Sequence, residues 1–423
     1  MKKILLFFII SGMIFVNLPQ SLNGRFSSSI YTFERFDTSG ASNTDARTYQ
    51  MLSFNFGKEN IWLRSNLNLE YDIANKQKSD PRLRVYNLYA DFNKIFDVAS
   101  LKLGRQPLYN SIAGGVFDGA TVGLNYSGYK FLAYYGGNVP AYQKLELIDD
   151  WGNNYLLGGE FTVLALMDWR FSAKYINKNF ASKAYTTVRL DPELNPINVL
   201  IENESNQYKF LSGEVSYFKQ NFGSANIRYD YDMNFQLSSR FEISGRYEQI
   251  KNLGINLYYN YREPKIRYNS IFSVFDYGNT WEIEGGVDYL VGNKYTVIGK
   301  FANVTYKDKR SQRVTLGVSS PYGTITARKN FGYAGEMDAI SLYTALSQLD
   351  GLLTPSLGFS YTRYKLTADD PSNELVSVLA GANLRPFRTL SFDIQGQYLN
   401  NKIYSNDWRL FFKLNFWFNT IFN

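Results

Sequence analysis

Neither cysteine nor histidine occurs anywhere in the 423 residues. Without cysteine there is no disulfide framework and no lipid anchor on an N-terminal thiol. Without histidine, the usual general base for serine or water chemistry is missing, and zinc loses its commonest ligand. A lysine or carboxylate base would need burial to shift its pKa, which a wet interior does not supply. After the first residues, no stretch approaches the roughly 18 uninterrupted apolar residues of a helical membrane span. Gly104, Gly114, Gly115 and Gly119 lack the following helix that a phosphate loop requires. The acidic pairs Asp149-Asp150 and Asp369-Asp370 offer oxygen ligands for calcium, but they read first as solvated loop charge. The expectation is no catalytic residue, no metal centre, no cofactor and no enzyme.

What is present points to export and to strands. Lys2 and Lys3, the apolar run from Ile4 to Val16 and a polar exit at Asn17–Ser21 have the layout of a secretory signal peptide. The expected division is residues 1–24 as leader and 25–423 as one domain, with the cut between Ser21 and Gly24. Aromatics reach 17%, with 34 Tyr and 32 Phe, while mean hydropathy is mildly negative at -0.29. A polar average with abundant aromatics suits a barrel whose strands have opposite faces and whose rims carry aromatic girdles. The net charge of +7 falls to +5 without Lys2 and Lys3. That excess leans weakly towards anions and gives no support for nucleic acid.

Period-two alternation recurs from Arg25 to Phe418. In the last strand-like stretch, Leu410, Phe412, Leu414, Phe416 and Phe418 share one side, and Arg409, Lys413 and Asn415 the other. An apolar, aromatic-ended face opposite a wet one is the pattern of a strand closing an outer-membrane barrel. Loop lengths add an independent signal. Thr38–Ala46, Ile73–Pro81, Pro107–Gly115, Asn138–Asn153 and Lys178–Asn206 are long, and the connections between them are short. Such alternation is expected when odd connections lie on one side of a membrane and even ones on the other. The fold expected is all-β: a transmembrane antiparallel up-and-down barrel of about 22 strands, within a range of about 18–22. That count treats Ser311–Phe331 as one strand interrupted near Pro321, takes every connection from Phe222 to Tyr306 as short, and allows a short helix at Ala339–Leu349.

If the apolar faces meet lipid, the charged faces line the lumen. An Arg or Lys on lipid at the midplane costs about 2–4 kcal/mol, so Arg64, Arg170, Lys174, Arg228, Arg240, Arg246, Arg262, Arg267, Arg409 and Lys413 are expected to point inward. Glu70, Asp230, Glu242, Glu248, Glu282, Glu284 and Asp288 join them. Opposed rows of charge either set a transverse field across a diffusion pore or pair between strands and stabilise the wall. A barrel of this size cannot fill its own lumen with side chains, which favours the pore. The Lys178–Asn206 connection, with Pro192, Pro196, Val199, Leu200 and Ile201, either enters the lumen, caps the outer mouth or is a surface loop.

Leu103-Gly104-Arg105-Gln106 followed by Phe117-Asp118-Gly119-Ala120 resembles a strand end and strand start of the alginate-export-type porin family, among the porin-type outer-membrane barrels. The resemblance implies a barrel passing an anionic or polar solute, with Arg105 and Asp118 near the pore. Alternation alone sets Arg105 on the side of Leu101 and Leu103, so a bulge at Gly104 or a rim position is needed to turn it inward. The function expected is a Gram-negative outer-membrane channel. It passes small hydrophilic solutes, with a lean towards anions, or exports a polar polymer. The alternative is a structural, adhesive or surface-receptor barrel with a loop-blocked lumen. Expected partners are outer-membrane lipid and lipopolysaccharide, the barrel-insertion machinery and a small hydrophilic solute, with no nucleic acid; the oligomeric state stays open.

Overall fold

The computed structural model describes residues 20–422, apart from 37–41, 77–78, 110–111, 142–144, 181–184, 191, 202–206, 269–276, 308, 334–336, 366, 368 and 403–405. In chain order the strands are β1 (Gln20–Phe36), β2 (Ser42–Lys58), β3 (Ile61–Asp72), β4 (Arg82–Ile95), β5 (Ala99–Leu108), β6 (Gly115–Tyr126), β7 (Tyr129–Val139) and β8 (Tyr155–Val163). They continue as β9 (Trp169–Lys178), β10 (Tyr185–Leu190), β11 (Pro196–Ile201), β12 (Tyr208–Lys219), β13 (Gly223–Asp232), β14 (Leu237–Tyr247), β15 (Leu253–Arg262) and β16 (Thr280–Val291). The last are β17 (Tyr295–Tyr306), β18 (Lys309–Ser320), β19 (Gly323–Gly332), β20 (Met337–Ala345), β21 (Leu353–Tyr364), β22 (Asn373–Phe387), β23 (Leu390–Asn401) and β24 (Asp407–Phe422).

Each strand pairs antiparallel with its neighbour in sequence, except that β9 pairs with β12, and β24 returns to pair with β1. The result is a closed sheet of 22 strands, with β10 and β11 as a separate two-stranded hairpin. Closure removes both edges of the 22-stranded sheet, so none of its ladders is left open to lipid. At the seam Gln20 faces Phe422 and Thr32 faces Leu410, and the Ser27 hydroxyl donates to Asn415 Oδ1 at 2.8 Å on the wet side. β1 begins at Gln20, upstream of the Arg25 at which the domain was expected to start. Residues 1–19 of the expected leader lie outside the described residues.

Three local expectations are corrected. Ser311–Phe331 is not one strand, because Pro321-Tyr322 forms a tight turn between β18 and β19. The connection 263–279 is long, so not every link between Phe222 and Tyr306 is short. Ala339–Leu349 is mainly strand β20, with a 3-10 turn at Leu349–Gly351.

The longest connections collect on one rim, together with the short links 233–236 and 307–308, and the other rim carries links of two to seven residues. The long-loop rim carries 73–81, 109–114, 140–154, 179–207, 263–279 and 365–372, and the two ends of the sheet meet at the short-turn rim. Facing outward are Leu103, Val122, Phe131, Leu211, Ile227, Ile283, Val287, Leu316, Ile340, Phe359, Ile394, Leu410 and Phe412, all exposed. At the short-turn rim the outer face turns aromatic: Tyr129 stacks on Phe161 at 6.3 Å, Trp169 lies 4.8 Å from Tyr217, and Phe222 meets Tyr247 edge-on at 5.9 Å. So much apolar surface on the outside of a closed barrel is stable only in lipid, and polar residues take the inside. The molecule is an outer-membrane-type β-barrel, with the long-loop rim outward.

Candidate functional site: a constriction with unpaired cations

Most charged residues share the wet face of their strands, with exceptions on β5–β6 and β19–β21, and most of the cations on that face meet a carboxylate on their own strand or within two strands of it. Arg64 Nε lies 2.9 Å from Asp91, and Glu70 takes Arg84 at 2.8 Å and Arg82 at 3.4 Å. Lys174 bridges to Glu214 at 3.0 Å, and Arg170 to Glu160 at 3.5 Å. Arg228 binds Asp230 through two hydrogen bonds of 2.9 and 2.6 Å. Arg240 pairs with Glu242, and Arg246 reaches Asp288 at 2.6 and 2.9 Å while also pairing with Glu248. Arg313 joins Glu282 to Glu284, which also holds Lys300 at 3.0 Å. Arg409 bonds Asp407 at 2.7 Å, and Lys413 sits opposite Asp393 in the β23–β24 ladder. The half-solvated pairs among these are worth about 0.2–1 kcal/mol each, whereas Arg228–Asp230 is buried. Their main effect is to cancel charge along the wall.

Two loops enter this lumen from the outer rim. Ile112, in the β5–β6 connection, is buried against Ile176 of β9 and Phe210 of β12, with Leu108 and Tyr208 around it. Beside it, Phe117, Tyr134 and Leu156 form a second lumen-side cluster that Leu108 also covers. Lys178 Nζ donates to Gly114 O at 2.7 Å, and Lys265 Nζ donates to Ile112 O. Lys265 belongs to the 263–279 connection, which is anchored by Tyr268: its N–H donates to Gln207 O at 3.1 Å and its ring meets Phe235 at 5.0 Å. On the other side of the β5–β6 loop a cavity of about 780 Å³ stays open. It is bounded by Tyr109 and Pro107 and by Met51, Asn66 and Asn87 of the facing wall.

Here the charge balance changes. Lys178, Lys265, Arg262 and Arg267 carry no ion pair among the described residues. Lys265 Nζ lies 5.5 Å from the Phe210 ring centre. Although its stem is open to solvent, crowding around the amine lowers its pKa. Arg228, Arg240 and Arg262 push it the same way, and Asp230 opposes them. Arg262 ends β15 and is exposed. Arg267 is not on a strand wall, as the alternation implied, but on the 263–279 loop, close enough to Lys178 and Tyr208 to act on both. Sequence reasoning missed Lys178, Lys265 and the Ile112 anchor. The available signal was the apolar interruption of the wet face at Phe117, Leu156, Ile176 and Phe210.

Arg105 is corrected outright. Gly104 has φ +122°, and a Cβ there would stand 2.6 Å from Leu88 O. The ladder nevertheless keeps its register, with Gly104 opposite Gly119 and Arg105 opposite Asp118. Gln106 therefore points inward, taking Thr121 Oγ1 at 2.7 Å, and Arg105 stays on the outer side with Leu103. Its ion pair with Asp118, at 2.7 and 2.8 Å, is almost fully buried, at 2% and 4% side-chain exposure. The covering comes from the β7–β8 connection, where Glu146 O accepts from Arg105 at 2.9 Å and Ile148 N donates to Asp118 at 2.9 Å. A residue so placed does not line the pore.

The described residues of the 179–207 connection form the β10–β11 hairpin, whose side chains are mostly exposed. The acidic pairs are used locally: Asp150 accepts from Asn153 and Asn154, and Asp370 from Thr367 N.

The sequence matches no protein-family model and no curated protein. Among solved structures, the chain is similar in fold to OccAB1 of Acinetobacter baumannii, with a TM-score of 0.46 and 8% identity over 94% of this chain and 96% of that one. It is similar to OpdK of Pseudomonas aeruginosa, solved with vanillate, with a TM-score of 0.45 and 8% identity over 95% and 99%. It also resembles the translocation pore of the P pilus usher PapC, with a TM-score of 0.45 and 11% identity over 94% and 99%. At these identities the likeness is one of barrel architecture.

Proposed function

We propose that the chain is a porin of the outer membrane, passing small hydrophilic solutes and favouring anions. The observation that carries this reading is the group Lys178, Lys265, Arg262 and Arg267, set where two loops enter a lumen whose other charges are largely paired. A cation group without an ion pair among the described residues, across the β5–β6 loop from an open cavity of about 780 Å³, attracts anions and leaves room for them to pass. The rest of the wall is wet and electrically balanced, so it holds a passing solute weakly, which conduction requires.

The reading includes no catalytic step. The N-terminal leader, expected over residues 1–24 with its cut between Ser21 and Gly24, directs export. Outer-membrane lipid and lipopolysaccharide surround the apolar band, and the barrel-insertion machinery reads the aromatic closing strand β24. The test is planar-bilayer conductance of the purified protein under a salt gradient. An ohmic current with an anion-selective reversal potential is expected, and no current at neutral pH would sink the proposal. Lys265→Glu with Arg267→Glu should move the reversal potential towards cations. An unchanged value would mean that these cations do not face the permeating ions.

A further inference from the structure

The lumen wall is zoned. From β13 to β19 its rows carry charge of both signs, among them Arg246, Glu284, Lys300, Arg313 and Arg328. On β20, β21 and β22 the outward rows are marked by exposed Ile340, Leu342, Leu357, Phe359 and Val378. The alternate rows face the lumen, and within the β20–β21 and β21–β22 ladders they hold no charged residue. Ser341, Ser360 and Ser377 stand opposite one another across these three strands. The lumen row of β23 adds only Asp393 in its ladder with β22.

At the end of this uncharged arc, around the barrel seam, the lumen face turns aromatic. Tyr31 of β1 stands opposite Phe411 of β24, and Phe411 opposite Gln395 of β23. In the adjacent row Arg409 faces Gln397, and Gln397 faces Leu379 of β22. Directly opposite residues have Cβ atoms about 4.5–5.5 Å apart, so the two rows form one patch. With Tyr49 of β2 they line a cavity of about 330 Å³, near the small end of the range of about 300–1,000 Å³ for ligand sites. Among the described residues only strand positions line it. Elsewhere in the lumen, Phe117, Tyr134 and Phe210 are closed over to 3% exposure or less, whereas Tyr31, Tyr49 and Phe411 stay partly exposed. Gln395 is exposed and makes no hydrogen bond to a described residue, so its amide offers both a donor and an acceptor. Gln397 Nε2 donates to Ser377 Oγ at 3.0 Å, which holds its side chain. Arg409, the one cation of the cavity, is bonded to buried Asp407 at 2.7 Å.

A sugar ring presents C–H faces that an aromatic ring covers, and hydroxyls around its edge that both donate and accept. An anion would find the one cation already engaged, and an apolar solute would leave the amides unpaired. We propose that Tyr31, Phe411 and Gln395 form a subsite for a neutral sugar ring in passage, with Gln397 and Arg409 at its edge. The proposal rests on the porin reading above and adds a second class of passenger to the anions. Tyr49 lies two residues from Met51 on the same face of β2, and Met51 bounds the open cavity beside the β5–β6 loop. A sugar held here therefore stands beside the open route.

The test uses the full barrel in a sugar-free detergent, with D-glucose as the probe and saturation-transfer NMR as the readout. Wild type should bind glucose saturably in the millimolar range, weakly enough to release it. Sodium gluconate, an open-chain anion, should not displace it, because the cations that attract anions lie elsewhere. Phe411→Leu and Gln395→Ala should each weaken glucose binding about three- to tenfold, the size of one aromatic contact or one hydrogen bond. Gln395→Ala changes an exposed side chain and decides the matter if Phe411→Leu does not fold. A glucose signal that does not saturate in wild type would overturn the site, as would unchanged binding in either variant or displacement by gluconate. Conductance of the same preparations separates the two readings. A conducting wild type that binds no glucose loses only this site, whereas a silent barrel that binds glucose loses only the porin reading.

Discussion

At the scale of single residues, what a charge does here depends on whether its partner is buried with it. The Arg105–Asp118 pair is shut off from solvent by Glu146 and Ile148, so removing one partner strands a buried charge. Asp118→Ala should cost about 3–5 kcal/mol, read as a fall in the urea midpoint of the folded barrel. Its reversal potential should stay at the wild-type value, since neither side chain faces the lumen; a changed value would return Arg105 to the pore. Lys265 behaves differently. Its pKa is held down chiefly by desolvation, so the proton leaves at a lower pH than from an ordinary lysine. Below that pH the amine is charged and attracts anions; above it the attraction fades. Anion selectivity should therefore decline on the alkaline side before ordinary lysines titrate. Lys265→Gln should remove that step, and a titration identical in the variant would assign it elsewhere. The folded state bears the full cost of charging Lys265 below the depressed pKa; that penalty declines as pH rises above it and is gone only above the ordinary lysine pKa.

At the scale of elements, the β5–β6 loop is the segment expected to set the width of the passage. Its hold on the wall is local: Ile112 against Ile176 and Phe210, and two lysines bonded to the carbonyls of Ile112 and Gly114. Ile112→Asp puts a charge into that apolar contact and should release the loop. Single-channel conductance should rise while the barrel stays folded, because the ladders β5–β6 and β9–β12 are untouched; an unchanged conductance would mean that the loop does not limit flow. This element also shows where legibility in the sequence stopped. Pro107–Gly115 was readable as a long outer loop from its place in the loop-length alternation. Its inward turn was not, because Ile176 and Phe210 are far away in sequence and join Ile112 only through the β9–β12 pairing. Likewise, Arg262 was legible as the wet end of a strand. Arg267 was not, because the same alternation continued past the end of β15 into a loop.

At the scale of the whole molecule, the inside-out distribution of polarity is open to a chemical test that the composition permits, since the chain has no cysteine of its own. In reconstituted vesicles Leu316→Cys, on the outer face, should resist a water-soluble maleimide. Ser244→Cys, which lines a lumen cavity of about 830 Å³ with Arg246 and Tyr258, should react. Reversed reactivity would invert the barrel's faces. A protein that kept its fold and stayed soluble without detergent would remove the membrane altogether.

The sequence by itself determined most of the strands, their two faces and the direction of the barrel, because period-two alternation and loop-length parity can be read along the chain; it did not separate β18 from β19 or settle β20 as a strand. Only the tertiary structure decided which lumen charges cancel, which remain unpaired at the constriction and that Arg105 faces outward. Those outcomes depend on register between strands and on where loops land. In a closed sheet, that register brings together Ser27 with Asn415 and Arg246 with Asp288, and the landing of two loops brings Lys265 to Ile112. No periodicity within one segment encodes such distances.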